Sequence, residues 1–135
     1  MQTLDTLEVY ISAKAFRKEV VTVANTFPKE EKFLLTAQIK DSARSISANI
    51  AEGYGRYHYQ EAIQFCRISR GSLLETYDHL SSVLDENYIN EVLFQELKLK
   101  QEPLLRMLNG YIAYLKRRKQ EGLLPLLSLI NQLPN

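Results

Sequence analysis

The sequence holds little that stops a helix and little that builds a crosslink. Five glycines and four prolines are spread over 135 residues, with one cysteine and no tryptophan. The lone Cys66 excludes an intramolecular disulfide and a cysteine-rich zinc site. No stretch approaches the roughly 18 to 20 consecutive apolar residues that span a bilayer. Residues Met1 to Tyr10 lack the basic start and apolar run of a secretory signal, so a cytoplasmic location without membrane contact is expected. An excess of one charge is missing too: 17 Lys and Arg stand against 16 Asp and Glu, a net charge of +1. Dedicated nucleic-acid binders usually carry a strong basic excess, because phosphate contacts dominate their affinity. Whole-chain charge therefore gives such binding no support, although a local basic patch is compatible with it.

What is present is an ordinary globular composition, 45% hydrophobic and 24% charged, which argues against a disordered chain. The length suits one domain with one core. From Leu4 to Ala24 there is neither glycine nor proline, and Leu4, Leu7, Ile11, Ala15, Val20, Val23 and Ala24 approximate helical spacing. Thr26-Phe27-Pro28 interrupts that pattern. Pro28 suits the first position of a new helix, and Glu30 and Glu31 follow where the helix dipole favours negative charge. A second helix is expected from Pro28 to about Glu52, with Gly53-Tyr54-Gly55 as its stop.

The third helix is read from His58 to about Asp85, with Ala62, Phe65, Ile68, Ser72, Thr76, Leu80 and Val83 inward. Gly71 lies in its middle, where it would allow close approach of a neighbour at a cost of about 1 kcal/mol relative to alanine. Ser72 to Glu75 also matches a capping box, so a break there is the alternative to one continuous helix. Asp85 to Asn90 reads as a turn, with Asn90 as N-cap of a fourth helix from Glu91 to about Lys119. Pro103 lies inside that helix and is expected to kink it, since the apolar pattern resumes at Leu104. Short connections make neighbours antiparallel. The expected fold is all-α: an antiparallel up-down-up-down four-helix bundle over residues 1–120, with an apolar extension over 121–135. Leucines at 123, 124, 126, 127, 129 and 133 are too many to leave in water. That tail folds onto its own bundle or docks on a sister subunit or partner.

Beside the apolar stripe of the second helix (Phe33, Leu35, Ile39, Ala43, Ile46, Ile50) runs a polar one: Gln38, Ser42, Ser45, Asn49, Glu52 and Arg56. Convergence of Asn49, Glu52, Arg56, Ser72 and Glu75 would suit catalysis, but a structural polar network is the stronger reading. Glu52 and Arg56 have ion-pair spacing. Asn49 and Ser72 can satisfy each other or nearby backbone groups where helices cross, as buried polar groups require. No cofactor or metal is expected. His58 and His79 are far apart, and no glutamate-x-x-histidine pair occurs as in di-iron bundles. Cys66 has no histidine at a suggestive spacing and reads as a small packed side chain. Gly53-x-Gly55 lacks the lysine and preceding strand of a phosphate loop.

Lys116-Arg117-Arg118-Lys119 is the basic cluster. It suits a solvated helix C-terminus, where cations complement the dipole. It also suits a ring of positive charge built by several subunits, to which Lys40, Arg44, Arg67 and Arg70 would add. Tyr54, Tyr57 and Tyr59 could then stack on bases, or serve as ordinary packing residues.

The ordered set Phe27-Pro28, Glu31, Gln38-Ile39, Ala43-x-Ser45-Ile46, Asn49-Ile50-Ala51-Glu52-Gly53-x-Gly55-Arg56, Glu61, Phe65, Ile68 and Gly71-Ser72-Leu73-x-Glu75 resembles a known family. This is the family of proteins encoded by intervening sequences of 23S ribosomal RNA genes, the S23 ribosomal protein family. The resemblance spans Leu7 to Lys116 and implies a four-helix bundle that assembles into a barrel-shaped homopentamer. A related branch serves diversity-generating retroelements, where the pentamer binds the reverse transcriptase and nucleic acid through a basic surface. Two departures stand out: Lys40-Asp41 replaces a frequent basic pair, and the chain lacks that branch's strong basicity. The resemblance therefore implies a non-enzymatic, homo-oligomeric scaffold, associated with RNA or the ribosome. The retroelement accessory role is the alternative.

Overall fold

The computed structural model describes the backbone of residues 2–131 and the side chains of residues 2–122. Four helices make the fold: α1 (Glu8–Ala24), α2 (Leu35–Gly55), α3 (Tyr59–Asp85) and α4 (Glu91–Asn131), with 3-10 turns at Leu4–Thr6 and Lys29–Glu31. Each helix packs on the next and α4 returns to α1, which closes an antiparallel four-helix bundle. Among the described residues there is no strand.

Each helix contributes one buried stripe. In α2 it is Ile39, Ala43, Ile46 and Ile50, and in α4 it is Phe94, Leu97, Leu104, Leu108, Ile112 and Leu115. In α1 the buried stripe is Val9, Ala13, Phe16, Val20 and Ala24; of the residues counted from Leu4, Leu7, Val20 and Ala24 are buried. The 3-10 turn at Leu4–Thr6 resets the phase before α1 begins, so Ile11 and Ala15 face outward. In α3 the inward positions are Ile63, Cys66, Ser69, Leu73, Thr76, Leu80 and Val83, while Ile68 is exposed.

The chain reversals also differ from expectation. Pro28 is extended (φ −55, ψ 147) and precedes a 3-10 turn, and α2 begins only at Leu35. The Glu31 carboxylate holds that start: it accepts the Leu35 N–H at 3.1 Å and the Tyr88 hydroxyl at 3.0 Å. Phe33, expected inside, lies in this connection and is 83% exposed. Gly53 and Gly55 do not end α2 by a left-handed turn; both are helical, and Gly53 is buried. A Cβ on Gly53 would sit 2.9 Å from the Phe65 Cβ and 3.1 Å from the Ala62 Cα, so this glycine is where α2 and α3 approach closest. The left-handed turn falls to Tyr57, at φ 54. Gly71 is helical within a continuous α3, and no heavy atom lies within 4 Å of a Cβ built on it. No helix approaches it closely.

Asn90 donates the expected cap: its Oδ1 accepts the Leu93 N–H at 2.8 Å. Before it, Asn87 takes φ 62 while Tyr88 N–H bonds Val83 O at 2.9 Å and Asn87 N–H bonds Leu84 O at 2.9 Å, a Schellman closure of α3. Helix α4 runs unsplit through Pro103. The carbonyl deprived of its donor belongs to Leu99, an exposed residue where water can replace it. The boundary placed at 120 falls inside α4, which continues as one helix to Asn131. Docking of the leucines beyond Gly122 lies outside the described side chains. Among the described residues no helix is long and apolar enough to cross a membrane.

Candidate nucleic-acid interface

Two sites come from the helix phases: a hydroxyl ladder inside the α2–α3 junction and a basic groove at the end of the bundle where α3 begins. In the ladder, Ser69, Ser72 and Thr76 repeat every three to four residues along α3 and face Ser42, Ser45 and Ile46 of α2. The Ser45 and Ser72 Oγ atoms lie 2.8 Å apart. Thr76 Oγ1 reaches the Ser42 Oγ at 2.8 Å and its own helix at Ser72 O, also 2.8 Å. Ser69 donates to Ile46 O at 2.7 Å.

Of the five residues expected to form a polar network, only Ser72 makes a side-chain hydrogen bond across the α2–α3 junction. Asn49 turns back along its own helix, donating to Ser45 O and Ser45 Oγ at 2.8 Å each. It touches Ser72 only through Ser45. Glu52 and Arg56 pair at 2.8 Å on the exposed surface, with the guanidinium over the Phe65 ring. Glu75 is exposed and lies 3.7 Å from His79. Asn49 and Ser72 are linked through Ser45, Glu52 pairs with Arg56, and Glu75 lies by His79, so no hydrogen bond or ion pair joins the five into one constellation. Sequence reasoning missed Ser69, whose signal was its spacing from Ser72 and Thr76. Cys66 is buried behind this face, and burial pushes its thiol up to about 11, the direction opposite to a nucleophile's.

The eight candidate phosphate-binding cations divide. Arg67 from α3 and Lys116, Arg117 and Lys119 from α4 line one open groove of about 510 Å³, with Gln60, Ile63 and Gln120. Residues 60, 63 and 67 share a face of α3, and 116, 119 and 120 share a face of α4. Among the described residues none that lines this groove is acidic. Lys119 donates to the Gln60 amide oxygen, which ties the two walls together. Arg118 points away, to Glu121 at 3.0 Å and to Tyr59; these partners raise its pKa further. Arg70, one turn along α3, donates to Asn109 at 2.9 Å. Arg44 is exposed on α2, and Lys40 sits at the opposite end of the bundle, bonded to Asn25.

Next to the groove is a pocket of about 410 Å³, lined by Tyr54, Tyr57, His58, Tyr59, Tyr111 and Tyr114 among others. Tyr111 and Tyr114 are near-parallel, with centroids 6.1 Å apart and planes at 19°. Tyr54 and Tyr57 lie 6.4 Å apart, tilted at 55°. Burial, with Cys66, Tyr54 and Tyr114 nearby, pushes the Tyr111 phenol up to about 12. Tyr111 and Tyr114 were not singled out from sequence. Their signal was a three-residue spacing just ahead of the basic run.

Comparison with known proteins bears on this bundle. The chain resembles, with a TM-score of 0.72 and 23% identity, a crystal structure from Bacteroides thetaiotaomicron described as a protein of unknown function from the S23 ribosomal protein family. The match covers 78% of this chain and 95% of the other, and at that identity it speaks for the fold. No curated protein matches the chain. The model of the 23S rRNA-intervening sequence proteins matches residues 5–110, from the turn before α1 to the middle of α4. With that match over most of its length and the same four-helix fold, the chain belongs to the 23S rRNA-intervening sequence protein family.

Proposed function

We propose that this chain is a non-enzymatic, self-assembling scaffold that holds RNA by its phosphates. The observation that carries the reading is the groove between α3 and α4: Arg67, Lys116, Arg117 and Lys119 line it with no carboxylate among them. A neutral chain gains no affinity from its overall field, but a groove of like charge concentrates potential locally. Repeating it around a ring of subunits multiplies the phosphate contacts without changing net charge per chain.

Support for assembly is the exposed apolar surface. Val92 and Leu99, seven residues apart on one face of α4, are each 67% exposed, and Phe33 and Leu34 protrude at the α1–α2 connection. A homopentamer is the assembly proposed. Delivery of RNA to a reverse transcriptase would use the same groove; nothing specific in this chain favours that role over a ribosome-linked one.

Light scattering on the purified protein tests assembly, and a salt-titrated RNA-binding measurement tests the groove. A mass of several chains, with RNA affinity that falls as salt rises, supports the proposal. A monomer that ignores RNA at low salt overturns it.

A further inference from the structure

We propose that the tyrosine-lined pocket receives an unpaired base of single-stranded RNA whose phosphates lie in the adjoining basic groove. This rests on the reading of the groove as a phosphate site and adds the class of nucleic acid that the site takes.

The first argument is adjacency. Pocket and groove are lined by consecutive residues of the same two helices. Tyr59 lines the pocket and its neighbour Gln60 lines the groove; Leu115 lines the pocket and its neighbour Lys116 the groove. Tyr59 also bonds Arg118, and Gln60 bonds Lys119. A strand whose base enters the pocket runs its phosphates past the segments of α3 and α4 that carry the cations.

The second argument is chemistry. Five tyrosines and the His58 imidazole line one opening, and the Tyr54 hydroxyl, which donates to Gln2 O, fixes its ring there. Among the described residues no acidic side chain lines the opening to repel an approaching polyanion. Base stacking on aromatic side chains tolerates any sequence, because every base has a π-face. Bases inside a duplex are already stacked, which restricts such a pocket to unpaired strands.

The third argument is backbone conformation. Tyr57 is 89% exposed and sits at φ 54, a region that costs a residue with a side chain about 1 to 2 kcal/mol and glycine nothing. A tightly closed α2–α3 turn by itself calls for glycine. Tyrosine at this position keeps a ring at the pocket's mouth that the turn does not need. Strain of this kind collects where a side chain has to be presented.

The test compares a labelled short single-stranded RNA with an abasic oligomer of the same length, by fluorescence anisotropy on the full chain. The wild type should bind the base-bearing strand at least about fivefold more tightly than the abasic one, the lower end of a single stacked base. Tyr57→Gly removes the ring and suits the backbone, so the fold is retained; Tyr114→Leu is a second, independent variant at a half-exposed ring. Each should bring the base-bearing strand down toward the affinity of the abasic one. Equal, salt-dependent affinity for both strands in the wild type overturns the base pocket while leaving the phosphate groove intact. A preference that survives both variants, or tighter binding of a duplex, also overturns it. No binding of either strand at low salt overturns the pocket and the groove together.

Discussion

The hydroxyls of Ser45 and Ser72 meet across the α2–α3 junction at 2.8 Å, and both residues are also tied within their own helices. Ser45 Oγ accepts from Asn49, and the Ser72 carbonyl accepts from Thr76. A bond between half-buried and buried hydroxyls is worth about 1 kcal/mol net. Ser45→Ala, Ser72→Ala and the double variant, compared by urea unfolding, should show a coupling of about that size. Additive single effects would mean that the two oxygens do not stabilise each other.

The two interior glycines should respond in opposite directions. Gly53→Ala pushes a methyl into the Ala62 backbone, and helices have to part to admit it; a loss of about 1 to 3 kcal/mol is expected. Gly71→Ala meets nothing within 4 Å and should gain up to about 1 kcal/mol from helix propensity. Thermal melts of the two variants side by side read both signs.

The exposed Glu52–Arg56 pair contributes little. Both side chains are about half exposed, so Glu52→Ala should cost no more than about 0.5 kcal/mol. Asn90→Ala, which removes the cap on α4, should cost about 1 kcal/mol. A larger effect at Glu52 than at Asn90 would place the pair inside an assembly contact.

Alkaline pH should destabilise the protein through the buried Cys66 and the partly buried Tyr111. The folded Cys66 and Tyr111 hold their protons up to about 11 and about 12, above the ordinary values of 9.0 and 10.0. A raised folded pKa gives stability that is intact below the unfolded value and lost as pH climbs to the folded one. The melting temperature should therefore fall between about pH 9 and pH 12, and Cys66→Ala with Tyr111→Phe should flatten that fall. Cys66 should also resist alkylation at neutral pH until the chain unfolds.

The bundle was legible in the sequence because apolar residues at 39, 43, 46 and 50, and again at 104, 108, 112 and 115, leave one inward face. What was not legible depends on neighbours. Counting from Leu4 misassigned the phase of α1, since nothing local announces the 3-10 turn ahead of Glu8. Gly53 reads as a helix stop until Ala62 and Phe65 are placed against it. Tyr57 carries no sequence signal for a left-handed backbone. The basic run at 116 to 119 was visible, but its division was not: Arg117 and Arg118 are adjacent in sequence, yet helical geometry sends one into the groove and the other to Glu121. Tyr111 and Tyr114 acquire meaning only when α4 lies beside the α2–α3 turn.

The salt dependence of RNA binding tests the central claim most directly, measured for the wild type and for the triple variant Arg67→Gln, Lys116→Gln, Arg117→Gln. Each cation that touches a phosphate of a single strand contributes about 0.7 to the slope of log affinity against log salt. The account predicts that the triple variant binds more weakly and that its slope is shallower by about 2. An unchanged slope in that variant would contradict it.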